Sequence, residues 1–248
     1  MGCGASTPAD VDLLPQQPPT VSYLLGTATE GEATVTMPEY LKSKPGNVLP
    51  LTLDGKSIAQ MDGRSFIQSR TKFNEADALA HLTPVKGADG KLVALVVNIP
   101  KIKPAQTSMC NYSAKILSAV PRVDGLNSAM VHDGVALYPW AIVSPMLSWT
   151  SKLSYDIQLA TPGGFERFAT LELGTFTTIR DGTTSKAYAR GVLKLTDGTA
   201  VAKLARAEGV TSYTTAAGVD LGLFVAAHVA SLKIQLDSDQ RPSDPAVA

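Results

Sequence analysis

The chain has 248 residues, of which 44% are hydrophobic, and it carries 22 Lys or Arg and 22 Asp or Glu. This hydrophobic fraction excludes general disorder, and we expect no nucleic-acid partner. The length suits one large all-β domain. Two cysteines are too few for a disulfide framework, and no secretory segment is visible, so we expect a reducing, cytoplasmic compartment.

The first six residues, MGCGAS, fit the M-G-x-x-x-[ST] pattern for N-myristoylation at Gly2. The adjacent Cys3 is a candidate for S-palmitoylation. One myristoyl chain binds membranes only marginally, with a constant of about 10⁴ M⁻¹, and stable anchoring takes a second signal. We therefore predict lipid attachment at Gly2 and Cys3 and a peripheral membrane location. The alternative is a chance match.

The Pro-rich, polar residues 7–19 cannot build a core, which is typical of a flexible tether. We therefore assign residues 1–19 to an acylated anchor and tether. Residues 20–236 form the folded domain, and 237–248 form a disordered tail.

Short β-rich runs alternate with turn signals through the folded domain. The predicted strands are VSYLL, EATVTM, VLPLTL, KSIAQM, KLVALVVNI, SMCNYSAKILSAV, GVALYPWAIV, KLSYDIQLA, RFATLEL, TFTTIR, SKAYARGVLKL and TAVAKLARA. Asp-Gly occurs seven times, at Asp54, Asp62, Asp89, Asp124, Asp133, Asp181 and Asp197. Asp-Gly suits type I′ turns, so the pattern predicts antiparallel hairpins in series.

Residues 219–235 are apolar in almost every direction of a helical wheel, which is typical of a buried helix. Asp220 and Lys233 leave the run too short for a membrane span, which needs roughly 20 residues. Asp220 suits the N-cap, and we expect Lys233 to emerge into water. A large barrel leaves a lumen that this helix would fill. The fold class is therefore mainly β: a closed or nearly closed antiparallel barrel of about 12 strands around one C-terminal helix.

The sequence contains none of the common nucleophile, nucleotide-binding or metal-site motifs. His81, His132 and His228 are each open to a catalytic or ligand role, but a hydrogen-bonded structural role is the commoner one. None of the Asp-Gly turns belongs to a calcium-binding loop. We therefore predict a non-enzymatic protein with no cofactor and no metal.

The segment DGTAVAKLARAEGVTSYTTAAGVDLGLFVAAHVASLKI resembles the end of the tubby C-terminal-like superfamily, in the branch of LURP-one-related proteins and phospholipid scramblases. In that branch a final hairpin and a G-V-D motif, here Gly218, Val219 and Asp220, lead into a central helix. The resemblance covers residues 20–236 in architecture and 190–236 in motif. It implies a 12-stranded barrel and a lipid-related function.

Residues 42–122 carry 12 Lys or Arg against 5 Asp or Glu, a net charge of +7. Lys101 and Lys103 alternate in KIKP and face the same side if that stretch is extended. Lys115 lies in the next predicted strand. We predict that the three lysines converge into a patch for phospholipid head groups; the alternative is three scattered lysines on a solvated surface.

Function is therefore predicted as binding of phospholipid head groups, including phosphoinositides, by a membrane-anchored barrel at the cytoplasmic leaflet. The alternatives are a membrane-tethered adaptor for a protein partner and a scramblase-like lipid mover.

Overall fold

The computed structural model describes residues 11–16, 23–25, 31–40, 43, 47–63, 82–100, 112–146, 153–174 and 190–239, with residues 99, 100, 112 and 235–239 described by their backbone alone. Within these residues lie thirteen strands and one helix. They are β1 (Ala33–Pro38), β2 (Val48–Leu53), β3 (Lys56–Asp62), β4 (Thr83–Gly87), β5 (Leu92–Pro100), β6 (Tyr112–Ser118), β7 (Met130–His132), β8 (Val135–Met146), β9 (Leu153–Thr161), β10 (Gly164–Leu173), β11 (Arg190–Leu195), β12 (Ala200–Ala207), β13 (Val210–Thr215) and α1 (Leu221–Asp239).

Twelve of the strands close into an antiparallel barrel. Successive strands pair with each other from β1 through β6, and again from β8 through β13. Two further pairings complete the ring: β6 with β8, and β1 with β13. The short strand β7 pairs with the first residues of β8, beside the ring. The predicted barrel of about 12 strands is confirmed.

The two ends of the barrel differ in how the strands are connected. At one end, which we call the turn end, the connections include the short segments 54–55, 133–134, 162–163 and 196–199. At the other, the long-connection end, they include 39–47, 63–82, 101–111, 147–152 and 174–189. Helix α1 begins at the turn end, after β13, and runs toward the long-connection end.

Two of the seven predicted Asp-Gly turns, at Asp54 and Asp133, close hairpins at the turn end with the predicted geometry, whereas Asp62 precedes the long connection 63–82. Asp54 and Gly55 have φ of 49° and 77°, and Asp133 and Gly134 have φ of 50° and 76°. Type I′ turns need positive φ at both central residues, which Asp and Gly tolerate. A third such turn, at Glu208 and Gly209, joins β12 to β13 with φ of 51° and 82° and was not predicted.

Helix α1 fills the lumen. Every residue from Leu221 to Ile234 is buried, and most of them belong to one cluster with the inward side chains of the strands. The helix begins two residues later than the predicted 219, because the chain turns at Gly218, which has φ of 76°. It ends at Asp239, so the first residues of the predicted tail are helical.

The N-terminal segment is bound to the turn end. The N–H of Leu14 donates to the carbonyl of Ala200 (3.1 Å), and that of Gln16 donates to Ala217 (2.9 Å). Residues 11–16 of the predicted tether are therefore held against the barrel. The remainder of residues 1–19 lies outside the described residues.

The predicted strand VSYLL is wrong for residues 23–25, which form a turn over the start of the helix. Leu24 is buried there, and its N–H donates to the Asp220 carboxylate (2.9 Å). A Cβ on Gly222 would lie 2.6 Å from Leu25 Cγ and 3.1 Å from its backbone nitrogen. The turn therefore packs directly on a helical glycine. The predicted strand TFTTIR lies outside the described residues.

Candidate functional site

The buried polar groups of the lumen are concentrated toward the long-connection end. The turn-end half of the helix, by contrast, is enclosed mainly by apolar side chains. The polar half contains Glu39, Ser43, Thr83, Asn98, Thr211, His228, Ser231 and Lys233. Buried polar groups need internal partners, so the contacts of these residues decide what they do.

Asp220 caps the start of the helix, as the sequence predicted. Its Oδ1 accepts from the N–H of Leu223 (3.0 Å), and its Oδ2 accepts from Leu24 (2.9 Å). Burial raises the pKa of Asp220 to about 6, although the hydrogen bonds from the backbone N–H groups lower it. One carboxylate thus joins the N-terminal turn to the helix.

His228 is an interior hydrogen-bonded residue. Its Nδ1 lies 2.8 Å from the Tyr213 hydroxyl, and the two rings meet edge to face at 5.5 Å. Burial, and then the nearby Arg206 charge, lower the pKa of His228 to about 3. The imidazole is therefore neutral at pH 7 and packs as part of the core.

An ion pair lies beside this histidine. Arg206 Nη2, on β12, contacts Glu39 Oε1, just after β1. The exposed fractions of the two side chains are 18% and 5%, so both charges are largely removed from water. Glu39 is also held through its backbone, because its N–H donates to Gly209.

Lys233 does not emerge into water, and the prediction that it does is wrong. Its side chain is buried, and its Nζ donates to Thr83 Oγ1 (2.9 Å). The Thr83 hydroxyl lies 3.3 Å from the hydroxyl of the buried Tyr40. The ammonium group therefore reaches a hydroxyl at the first residue of β4 rather than solvent.

Lys233→Ala is accordingly expected to lower the free energy of unfolding by about 2–4 kcal/mol, because it leaves a cavity and removes the donor to Thr83. Urea denaturation at pH 7 measures the loss. Lys203→Ala, at a half-exposed position on β12, is the control and should change stability by less than about 0.5 kcal/mol. A similar small change for Lys233→Ala would contradict the buried position.

His228 makes stability depend on pH. Its folded pKa of about 3 lies below the unfolded value of 6.5, so unfolding takes up a proton as the pH falls through this range. This contribution is present above pH 6.5 and is lost as the pH falls toward 3. Asp220 has a raised pKa in the folded state, so its titration increases the free energy of unfolding as the pH falls from about 6 to 4.

Between pH 7 and pH 5, the free energy of unfolding of wild type should therefore fall by about 2 kcal/mol more than that of His228→Gln, because the variant lacks the imidazole that titrates. Urea denaturation of both proteins at the two pH values measures the difference. Identical pH dependence in the two proteins would mean that His228 does not titrate on unfolding.

Among the predicted lipid-binding residues, Lys115 is described, on the outer face of β6. It pairs with Val97 of β5 on one side and Ile142 of β8 on the other. Its neighbours Ala114 and Ile116 face the core. Lys101, Lys103, Gly2 and Cys3 lie outside the described residues, so their predicted roles remain predictions.

The connections at the two ends of the barrel differ in the charge of their sequences. Those at the long-connection end, including 208–209, carry 10 Lys or Arg and 5 Asp or Glu, a net charge of +5. Those at the turn end, including 88–91, 119–129 and 216–220, carry 2 Lys or Arg and 6 Asp or Glu, a net charge of −4. By sequence, the connections between strands that join at the end where the helix finishes are therefore the basic ones.

Among the residues that the structure describes, no helix is both long and apolar enough to cross a membrane. The same residues contain no group of three His, Cys, Asp or Glu side chains placed to hold a metal ion.

No family model matches the chain, and no curated protein matches its sequence. An X-ray structure of a protein from Arabidopsis thaliana matches with a TM-score of 0.44 and 11% identity, over 86% of this chain and 94% of that chain. A similarity at this level carries no argument about function. The barrel and its central helix are established by the strand pairings themselves, and the resemblance to the tubby C-terminal-like superfamily stays a sequence-based prediction.

Proposed function

We propose that this protein is a non-enzymatic barrel, anchored by lipid at Gly2 and Cys3, that binds phospholipid head groups at the cytoplasmic leaflet. The observation that carries the proposal is the charge difference between the sequences of the connections that join strands at the two ends, +5 against −4. An anionic membrane attracts the basic end, with about 1 kcal/mol for each Lys or Arg near its surface. Lys101 and Lys103 directly follow β5 in this basic set, and Lys115 lies on the neighbouring strand.

The filled lumen favours binding on the outer surface. Every residue from Leu221 to Ile234 is buried, so the helix occupies the space through which a lipid mover would pass its substrate. This supports head-group binding over the scramblase-like alternative. An adaptor for a protein partner remains an outcome of the experiments below.

The lipid anchor and the basic connections can reach one membrane. Residues 11–16 are bound at the turn end, so the acylated terminus starts from the end opposite to the basic one. Ten extended residues span at most about 33–36 Å. The nine-residue β5 is about 30 Å long and the twelve-residue β8 about 40 Å, so residues 1–10, when extended, have a reach comparable to the length of the barrel.

Head-group binding is tested by sedimentation with liposomes that contain phosphatidylserine or a phosphoinositide. The protein is the full chain with Gly2→Ala, which removes acylation but keeps the bound residues 11–16. It should bind in low salt, and substitution of Lys101, Lys103 and Lys115 by Ala should weaken binding on the order of a hundredfold. Lys56, Lys86 and Lys91, near the turn end, provide a matched triple control. Equal losses from both triple changes would reject the specific patch.

Acylation is tested separately by fatty-acid labelling and membrane fractionation in a eukaryotic cell. Gly2→Ala should release the protein to the cytosol, and Cys3→Ser should leave partial, exchanging association. Equal membrane fractions for wild type and Gly2→Ala would reject the acyl anchor. If the anchor holds but the unacylated protein binds no liposome, the adaptor function is favoured instead.

A further inference from the structure

Lys115 lies in the middle of an apolar row on the outside of the barrel. The row crosses three strands, because Val97 of β5 and Ile142 of β8 pair directly with Lys115. All three side chains are half-buried and face outward, opposite to the buried Ala114 and Ile116. Further along β8, Met146 is 37% exposed. We call the outer faces of β5, β6 and β8 the apolar wall.

One part of this wall is already covered by the chain. Leu95, Leu117 and Leu137 form a second hydrophobic cluster, packed against Met130 of β7 and Ala119. The row of Val97, Lys115 and Ile142 lies next to this cluster, nearer the long-connection end. Toward that end, the hydroxyls of Ser113 and Ser144, 3.1 Å apart, separate this row from Met146.

Rows of polar side chains cover other parts of the described exterior, which also carries exposed apolar side chains such as Val48 and Val131. On β9, β10 and β11, Arg167 pairs with Asp156 (2.7 Å) and Lys194 pairs with Glu172 (2.9 Å). Between β1 and β13 the outward row is hydroxylic, and the side-chain oxygens of Thr34 and Thr214 lie 2.9 Å apart. The row at Lys115 differs from these two rows because its cation stands between two aliphatic side chains, Val97 and Ile142.

No Asp or Glu occurs in β5, β6 or β8, and Lys115 is the one Lys or Arg in these three strands. The nearest described acidic side chain on the adjacent strand, Asp156, is occupied by Arg167 and by the Gln158 amide. Within these three strands, therefore, no acidic side chain offsets the charge of Lys115. Such a surface complements anionic head groups with acyl chains beneath them.

We propose that the apolar wall lies flat on the bilayer, with Val97, Ile142 and Met146 entering the interface and Lys115 among the phosphates. The inference rests on the proposed function, and it adds an orientation and a hydrophobic contribution to binding. It predicts that part of the binding persists in high salt, since screening weakens charge interactions and leaves apolar insertion unaffected.

The experiment compares two double variants of the full chain carrying Gly2→Ala. Val97→Gln with Ile142→Gln changes the apolar wall without changing charge. Thr36→Gln with Ser212→Gln changes a pair of half-exposed, cross-strand partners far around the barrel, and is the control. Circular dichroism and urea denaturation establish that both variants fold. Sedimentation with phosphatidylserine vesicles in low and high salt then measures binding.

The apolar-wall variant should bind about tenfold more weakly than wild type in high salt, as expected for losing two partly inserted side chains, and the control should bind like wild type. Equal binding by the two variants, with wild type bound in low salt, would overturn the orientation and leave head-group binding intact. No binding by wild type in low salt would instead overturn the proposed function. A wild-type dimer that the apolar-wall change dissociates would assign the wall to a second copy of the chain and overturn the inference.

Discussion

Phe224→Ala should lower the free energy of unfolding by about 3–5 kcal/mol, the range for deleting a fully buried aromatic side chain. Phe224 is completely buried in the helix, and its ring meets that of Tyr213 edge to face at 5.7 Å. Because strands surround the helix, the core has little freedom to collapse into the cavity. Urea denaturation monitored by circular dichroism measures the effect.

Two further substitutions define this prediction. Phe224→Leu keeps much of the volume and should cost less than the Ala variant. Phe224→Asp would place an unpaired carboxylate in the lumen and should prevent folding. An unchanged midpoint for Phe224→Ala would mean that the helix is not the core of the barrel.

Glu39→Leu should cost about 3–5 kcal/mol, because it leaves the Arg206 guanidinium largely buried without its carboxylate partner. Replacing both residues, by Glu39→Leu with Arg206→Met, should restore much of the lost stability, since the uncompensated charge is then absent. Urea denaturation of the two single variants and the double variant gives the coupling energy.

Additive losses in this cycle would contradict a buried pair. The same variants also test the neighbourhood of His228, whose pKa Arg206 helps to lower. Glu39→Leu leaves the Arg206 charge beside His228 without the Glu39 carboxylate. The stability of the Glu39→Leu variant should therefore fall more steeply with acidification than that of the Arg206→Met variant.

Local patterns predicted the features of this fold that depend on local physics. The all-round apolarity of the helix, the cap at Asp220 and the turns at Asp54 and Asp133 each follow from neighbouring residues alone. The closed barrel then follows, because antiparallel hairpins in series around one apolar helix leave few other ways to bury it.

Features that depend on distant contacts were not predictable in this way. Lys233 was expected in water because lysine usually is, but its partner Thr83 is 150 residues away in the sequence. The segment at 23–25 has strand-like composition, yet the N–H of Leu24 donates a hydrogen bond to the distant Asp220 carboxylate instead of to a neighbouring strand. Strand β4, TPVKG, was missed because Pro84 and Gly87 disfavour strands, and pairing on both sides overrides that preference.

The predicted functional residues illustrate a different limit. The sequence predicted Lys115 as part of a lipid-binding patch but did not show the two aliphatic side chains that flank it. That arrangement depends on which strands are neighbours, and the register between β5, β6 and β8 brings Val97 and Ile142 to either side of the lysine.

The order of elements along the chain affects how the protein is made. Helix α1 is synthesised after every strand that encloses it, and β1 pairs with β13, where Thr34 and Thr214 are 180 residues apart. While the ribosome is still adding residues, the inward faces of the early strands have no partner to cover them. Such distant pairings form slowly, and exposed apolar strands aggregate. Folding to the native barrel must therefore follow the emergence of the helix, and the nascent chain is a natural client for chaperones.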